Sequence, residues 1–374
     1  MPKNKVLILT NPLNHEGGVV NYYNLFFKHF ESNTITLKHG SIGSRAYLFY
    51  YPFLKRLLYP FYYVFDVIAY ILKLIFNPKI KIVQVSPSLI PVPLIRDGLL
   101  ILLAKLFGKK VVVFYRGWKL PTFNRISKTK ILRTLFNNVF QKQTLQVVLA
   151  SSFKDDLMNL NPKNFNEVMV TTTAIDNSQI IKPNSNIVTK PIKVLFLGRI
   201  QNLKGVEELI DAIGQLKANE KLNEFKFSIV GHENKTGYIN ELKKKLESYG
   251  VSKEQADFLG RITGQKKYQL YARHDVYVLP SYTEGCPNSV LEALASGLFC
   301  VTTPVGALKD LINAHNGVII PVKNVIELYK TFLIILENKA LLKNRKDISG
   351  ESIDKFDIRN ICEDFNRAYN KLLN

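Results

Sequence analysis

The stretch Pro280-Ser281-Tyr282-Thr283-Glu284-Gly285-Cys286-Pro287-Asn288-Ser289-Val290-Leu291-Glu292-Ala293-Leu294-Ala295-Ser296-Gly297 reads as a loop that opens into a helix. Just before it, Val276-Tyr277-Val278-Leu279 is a short, unbroken apolar run, the signature of a strand buried on both faces. Pro280 ends that strand. Pro287 suits the first helical turn, where its missing N–H is not needed, and Gly297 suits a helix stop. Glu284 is therefore predicted on a loop at the carboxyl end of a strand, and Glu292 about a turn and a half into the helix. Two carboxylates and a row of free backbone N–H groups then face one crevice. Carboxylates accept from hydroxyls and a helix N-terminus attracts phosphate, so the predicted ligand is polyhydroxylated and phosphorylated.

Outward from this segment the same strand–helix alternation continues. Towards the N-terminus of the second half, strands are expected at 192–197, 225–230, 255–259 and 276–279, and helices at 204–217, 237–249, 265–273 and 288–296. Beyond the segment come a strand at 299–302, a helix at 307–313, a strand at 317–320 and a helix at 324–338. The first half repeats the theme, with strands at 5–10, 34–37, 80–86, 110–115, 145–150 and 168–172. Residues 177–191 are polar, carry Pro183, Asn184 and Ser185, and read as a linker. The pattern is α/β, with two doubly wound, Rossmann-like domains over residues 1–176 and 192–351. Two such sheets are expected to face each other across a ligand-binding cleft. Residues 352–374 read as a C-terminal helix that could return to the first domain.

The 374 residues hold 51 basic and 30 acidic side chains, a formal net charge of +21. Such an excess points to anionic partners. No zinc-finger, RNA-binding or helix-turn-helix signature accompanies it, so a membrane surface and a nucleotide-sugar rank above nucleic acid. The three cysteines, Cys286, Cys300 and Cys362, fit no disulfide framework or metal spacing, which predicts a reducing cytoplasm. Met1-Pro2-Lys3-Asn4-Lys5 runs straight into an apolar strand without a secretory leader.

Residues 280–297 resemble the E-x7-E region of retaining glycosyltransferases of the GT-B fold, most closely glycosyltransferase family 4. That family's pattern, P-S-x-x-E-G-x-P-x-x-x-L-E-A-x-A-x-G, is filled at every fixed position. Gly198-Arg199-Ile200-Gln201-Asn202-Leu203-Lys204-Gly205 is similar to its G-R-x4-K-G pattern. The resemblance is dense over 192–321 and thin over 1–191. It implies a retaining transferase that moves a sugar from a nucleotide diphosphate to a hydroxyl on a membrane-linked glycan or lipid. Glu284 and the backbone of Gly285, Cys286, Pro287, Asn288, Ser289 and Val290 would hold the donor sugar and its phosphates, and Glu292 the ribose. Arg199 and Lys204 would stabilise the departing diphosphate. One unit charge at about 4 Å is worth roughly 4 kcal/mol at an effective dielectric near 20. No Asp-x-Asp occurs in the chain, in keeping with catalysis without metal or other cofactor.

After the first strand comes His15-Glu16-Gly17-Gly18-Val19, whose paired glycines would let the backbone approach a ligand closely, although an ordinary tight βα turn has the same composition. The family resemblance implies a loop near the donor diphosphate and the acceptor, with Gly17, Gly18 and His15 as candidate contacts. Family members often carry a His-Gly after the fourth strand, and this chain has Tyr115-Arg116-Gly117-Trp118 instead. Arg116 cannot serve as a base near neutral pH but could contact an acidic sugar or an acceptor phosphate. Other reactions of the same fold, epimerisation or phosphorolysis, and a non-catalytic nucleotide-sugar-binding subunit remain alternatives.

Residues 45–76 hold twelve aromatics, four basic residues and one acid. Over the twenty residues Leu57 to Phe76, Asp66 and Lys73 would cost about 5–7 kcal/mol on an insertion scale, and the dozen Leu, Ile, Val and Phe would return about 4–7, so spanning is not favoured. A basic, aromatic helix lying in the membrane interface is expected, with part of it packing on its own sheet. The protein would then sit peripherally on the inner face of the cell membrane.

Overall fold

The computed structural model describes residues 3–15, 17–42, 52–162, 167–183 and 190–374. Glu16 of the glycine loop, residues 45–51 of the proposed interfacial segment and residues 184–189 of the expected linker lie outside them. Two units emerge, one of residues 1–174 with 358–374, the other of residues 175–357.

Unit 1 is a six-stranded parallel sheet of order β2-β1-β3-β4-β5-β6. Its strands are β1 (Asn4–Thr10), β2 (Ile35–Ser41), β3 (Ile80–Val85), β4 (Lys110–Phe114), β5 (Thr144–Val148) and β6 (Val168–Val170). Val6, Leu7, Ile8 and Leu9 are all buried, as are Val111 to Phe114, which is why these strands read as unbroken apolar runs. The helices are α1 (Gly18–His29), α2 (Pro52–Phe76), α3 (Pro91–Leu106), α4 (Leu120–Lys128), α5 (Lys130–Phe136) and α6 (Ser151–Leu160).

Unit 2 repeats the plan with order β12-β11-β10-β7-β8-β9. Its strands are β7 (Ile192–Leu197), β8 (Phe225–Val230), β9 (Ala256–Gly260), β10 (Val276–Leu279), β11 (Phe299–Thr302) and β12 (Gly317–Ile319). They alternate with α7 (Val206–Ala218), α8 (Tyr238–Ser248), α9 (Gln265–Arg273), α10 (Asn288–Ala295), α11 (Leu308–Leu311) and α12 (Val325–Glu337). β10 is central, paired in parallel with β7 and β11, and all four of its side chains are buried. The α/β reading of two doubly wound parallel sheets therefore holds.

Two local expectations change. Pro287 does not enter the helix: its ψ of 119° is extended, so it flanks α10 as the N-cap and the helix begins at Asn288. The C-terminal stretch is two helices, α13 (Arg345–Phe356) and α14 (Ile358–Leu373). The break falls at Asp357, whose extended backbone bridges Ile175. α14 belongs to unit 1, where Phe365 meets Phe26 edge-on at 5.2 Å and the Tyr369 hydroxyl donates to Gln84 Oε1 at 2.6 Å.

α13 stays in unit 2 and steadies the strand that carries the site. Arg345 Nη1 lies 3.2 Å from Asp275 Oδ1, and Nη2 donates to the His274 carbonyl at 2.8 Å. Asp275 also accepts from the Lys193 N–H at 3.0 Å, tying β10 to β7. Ser349 Oγ donates to the Ala295 carbonyl at 2.5 Å, holding the end of α10.

His274 is buried, with Nδ1 2.6 Å from the Leu270 carbonyl and Nε2 2.9 Å from Ser228 Oγ. Burial pushes its pKa down from 6.5 to about 4. Above pH 6.5 both folded and unfolded chains carry a neutral imidazole. Between 6.5 and about 4 only the unfolded chain takes the proton, so stability falls as pH drops through that window by roughly 3 kcal/mol in total. His274→Asn should flatten the slope of unfolding free energy between pH 6.5 and 5 in urea titrations. A slope equal to that of the parent chain would show that His274 takes its proton at an ordinary pH.

Candidate active site

The loop after β10 and the loop after β7 meet at the carboxyl edge of the unit 2 sheet. The Tyr282 N–H donates to the Leu203 carbonyl at 3.0 Å. Gly205 has φ +70°, and a Cβ there would lie 2.0 Å from the Pro280 carbonyl oxygen, so the contact needs glycine. This closeness brings two sequence-predicted groups onto each other. Lys204 Nζ sits 2.5 Å from Glu284 Oε1, and Ser281 Oγ donates to the same oxygen at 2.7 Å. The Glu284 side chain is only 8% exposed and that of Lys204 19%, so the pair is largely removed from water. Removing either partner would strand the other's charge, whereas a ligand that offers a hydroxyl to Glu284 and a phosphate to Lys204 satisfies both.

Glu292 lies four residues into α10, and its partners come from α9. Lys267 Nζ is 2.6 Å from Oε1, and the Tyr271 hydroxyl donates to Oε2 at 3.1 Å. Burial alone would lower the Lys267 pKa, but Glu292 and the Tyr268 ring beside it outweigh burial and hold it above its usual value. Tyr271 is buried, and its phenol is pushed well above its usual range by burial first and by Glu292 second, so it stays a donor.

The turn between the two glutamates is supported from below. Tyr277, inside β10, has its hydroxyl 2.9 Å from the Leu197 carbonyl and 2.7 Å from Ser289 Oγ, which links the start of α10 to the end of β7. Thr303 Oγ1 donates to the Ser281 carbonyl at 2.5 Å, and the Ala307 N–H to the Gly285 carbonyl at 2.8 Å. Gly306, at φ +56°, packs so closely that a Cβ would stand 2.4 Å from the carbonyls of both Glu284 and Gly285. Cys286 and Val290 are buried beneath the turn. The first N–H groups of α10, those of Asn288 and Ser289, have no intrahelical acceptor. They form an anion-attracting end beside the Lys204–Glu284 pair.

Arg199 is exposed at the end of β7, and no ion pair or hydrogen bond engages its side chain. Among the described residues it is a cation held ready rather than committed.

The residues assigned to the first half fall in unit 1. His15 is half-buried in the loop after β1. Gly17, at φ +147°, is the N-cap of α1, and both it and Gly18 face open space where a side chain would project. Arg116 is buried just past β4.

Sequence reasoning missed Lys267 and Tyr271, which fix Glu292, and Gly306 and Thr303, which shape the Glu284 turn. Only α9's helical spacing, which puts 267 and 271 on one face, was legible, and nothing local marked that face as opposite Glu292.

Residues 177–352 match the family model described as glycosyl transferases group 1. That match supports a place in the glycosyltransferase superfamily for this part of the chain. The chain is 29% identical over 217 residues, 58% of its length and 53% of the relative's, to an N,N'-diacetylbacillosaminyl-diphospho-undecaprenol alpha-1,3-N-acetylgalactosaminyltransferase of Campylobacter jejuni. It is 30% identical over 175 residues, 46% of each chain, to a GalNAc-alpha-(1->4)-GalNAc-alpha-(1->3)-diNAcBac-PP-undecaprenol alpha-1,4-N-acetyl-D-galactosaminyltransferase of the same organism. It thus spans about half the length of these relatives. Among solved structures it is similar to a sucrose-phosphate synthase from Thermosynechococcus elongatus, with a TM-score of 0.76, 14% identity and 99% of each chain covered. It is also similar to a glycosyltransferase from Rickettsia africae, at 0.74 and 15%, over 100% of this chain and 99% of that one. The family match falls on the unit that carries Arg199, Lys204, Glu284 and Glu292, while the likeness of fold, that of GT-B glycosyltransferases, runs through both units.

Proposed function

We propose that this protein is a retaining, metal-independent glycosyltransferase of family 4 type. It moves a sugar from a nucleotide diphosphate to a hydroxyl of a membrane-linked glycan or lipid in cell-surface polysaccharide or glycolipid synthesis. One observation carries the reading. A buried Lys204–Glu284 pair stands beside the open N-terminus of α10, with the unengaged Arg199 on the neighbouring loop. Cations for a diphosphate and a carboxylate for sugar hydroxyls are thus gathered on two adjacent loops of one sheet.

In this reading the acceptor hydroxyl attacks the anomeric carbon on the face from which the nucleotide departs. The carbon–oxygen bond to the β-phosphate breaks, the new bond forms on the same side, and the departing phosphate oxygen takes the acceptor's proton. Lys204, Arg199 and the α10 N–H groups stabilise the charge that gathers on the diphosphate. Glu284 orients the sugar. Glu292, locked by Lys267 and Tyr271, accepts from the ribose hydroxyls. The relatives named for undecaprenol-linked substrates support a lipid-linked acceptor. Transfer from a panel of nucleotide-sugars, read by released nucleotide and by product mass, tests this. Glu284→Ala and Lys204→Ala should each lower turnover by about a hundredfold or more. Unchanged turnover in both would remove these residues from the site.

The same reading places unit 1 on an anionic membrane surface. α2 exposes Phe61, Val64, Phe65, Ile68, Leu72 and Ile75 along one stripe. α3 exposes Val92, Ile95, Leu99, Leu102 and Leu106 along another. The two helices are joined by Tyr63 and Tyr70, whose hydroxyls donate to the carbonyls of Arg96 and Leu100. Isolated exposed apolar residues need no partner, but two adjoining stripes on a strongly basic chain fit an interfacial contact. Asp66, buried on the inner face of α2 with Tyr70 and Leu74, does not lie on the exposed stripe. Among the described residues no helix is long and apolar enough to cross a membrane. The protein should float with liposomes containing anionic lipid, and Phe65→Glu with Ile95→Glu should return it to the soluble fraction. A parent chain that stays soluble would refute the membrane contact.

A further inference from the structure

Unit 1 contains a charge that the proposed mechanism does not use. Arg116 follows β4 at the carboxyl edge of the sheet and is only 9% exposed. Its guanidinium carbon stands 4.1 Å from the centre of the Tyr22 ring and 4.8 Å from that of Phe114. Nε and Nη1 are buried and have no hydrogen-bond partner, and among the described residues no carboxylate pairs with it. An arginine cannot shed its charge to suit burial. The Tyr22 and Phe114 rings, set at 75° to each other, stabilise the cation but offer no acceptor to its N–H groups. Those groups form a planar fork whose natural complement is an oxyanion.

The surroundings point the same way. The Tyr22 hydroxyl is also buried and without a partner, whereas that of Tyr23 is engaged by Ser86 and Gln84. Tyr22 belongs to α1, whose N-cap is Gly17, with no side-chain cap and no acid in its first turn. Strand order reverses between β1 and β3, and α1 leaves the end of β1. Ligands of doubly wound sheets bind at the carboxyl edge at such a reversal. Arg116 reaches from β4 to the helix that borders it.

We propose that Arg116, with the Tyr22 hydroxyl and the first turn of α1, forms an oxyanion subsite for a carboxylate or phosphate borne by one of the two substrates. The inference rests on the transfer reading above and narrows it: one substrate carries a negative group in addition to the donor's nucleotide diphosphate. Two sources offer that chemistry, the carboxylate of a uronic acid donor sugar and the diphosphate of a lipid-linked acceptor.

Calorimetric titration of the full chain with UDP, UDP-glucose, UDP-glucuronate and farnesyl diphosphate tests the inference. In Arg116→Gln, affinity for UDP-glucuronate or for farnesyl diphosphate should fall about tenfold or more while affinity for UDP is unchanged. A selective loss for UDP-glucuronate assigns the subsite to the donor sugar, and one for farnesyl diphosphate assigns it to the acceptor. Arg116→Lys keeps the charge without the fork. It should fold as the parent does, judged by its melting curve, and lose part of the same affinity, so the test survives if the glutamine variant does not fold. Equal binding of both anionic probes by parent and variants, or by neither, overturns the subsite while intact UDP binding preserves the transfer reading. Absence of binding by the parent chain to every member of a panel of nucleoside diphosphates overturns that reading instead.

Discussion

The structure of the candidate site depends on one contact, the close approach of the loop after β7 to the loop after β10. It is possible because Gly205 has no side chain to collide with the Pro280 carbonyl. It places Lys204 against Glu284 in a setting that is mostly dry. A largely buried ion pair is weak evidence for stability, since desolvation offsets most of its attraction. In the proposed function the pair serves by what it can exchange. Without ligand each charge satisfies the other, and with a nucleotide-sugar each would gain the partner it suits.

Around that contact the unit is built for rigidity. Glu292 is clamped by Lys267 and Tyr271, the start of α10 is tied through Ser289 and Tyr277 to β7, and Gly306 lets the next loop press against the Glu284 turn. Farther out, Arg345 and Asp275 fix the entry to β10. A site that stabilises developing charge gains most when its dipoles and charges need not reorganise during reaction. Arg199 is the exception, an exposed side chain on a backbone that is held on both sides by Gly198 and Ile200.

Much of this was legible in the chain. Strand 276–279 is an unbroken apolar run and strand 192–197 is apolar but for Lys193, each between clear turn signals, so their limits coincide with the structure's. Glu284 and Glu292 were recognisable because a strand end, a loop and a helix start follow in eighteen residues. What could not be read was contact at long range. Lys267 lies twenty-five residues before Glu292 and nothing local links them. Lys204 and Glu284 looked like separate instruments, and only the packing of Gly205 on Pro280 shows them as a pair. The early helix at 345–351 was missed because its sequence is polar, its buried positions being filled by Arg345, Ile348 and Ser349. The outward stripe of α3 was hidden because α3 is apolar on both faces, so its periodicity does not separate core from surface.

The most direct test of the account is binding of a nucleotide-sugar panel by the full chain, compared with its Glu284→Gln and Glu292→Gln variants in a calorimeter. At least one nucleotide-sugar should bind the parent more tightly than its bare nucleotide. Glu284→Gln should erase that preference for the sugar while keeping nucleotide affinity, and Glu292→Gln should weaken nucleotide and nucleotide-sugar alike. Binding that is the same in all three proteins would contradict the assignment of these carboxylates to the two ends of one donor.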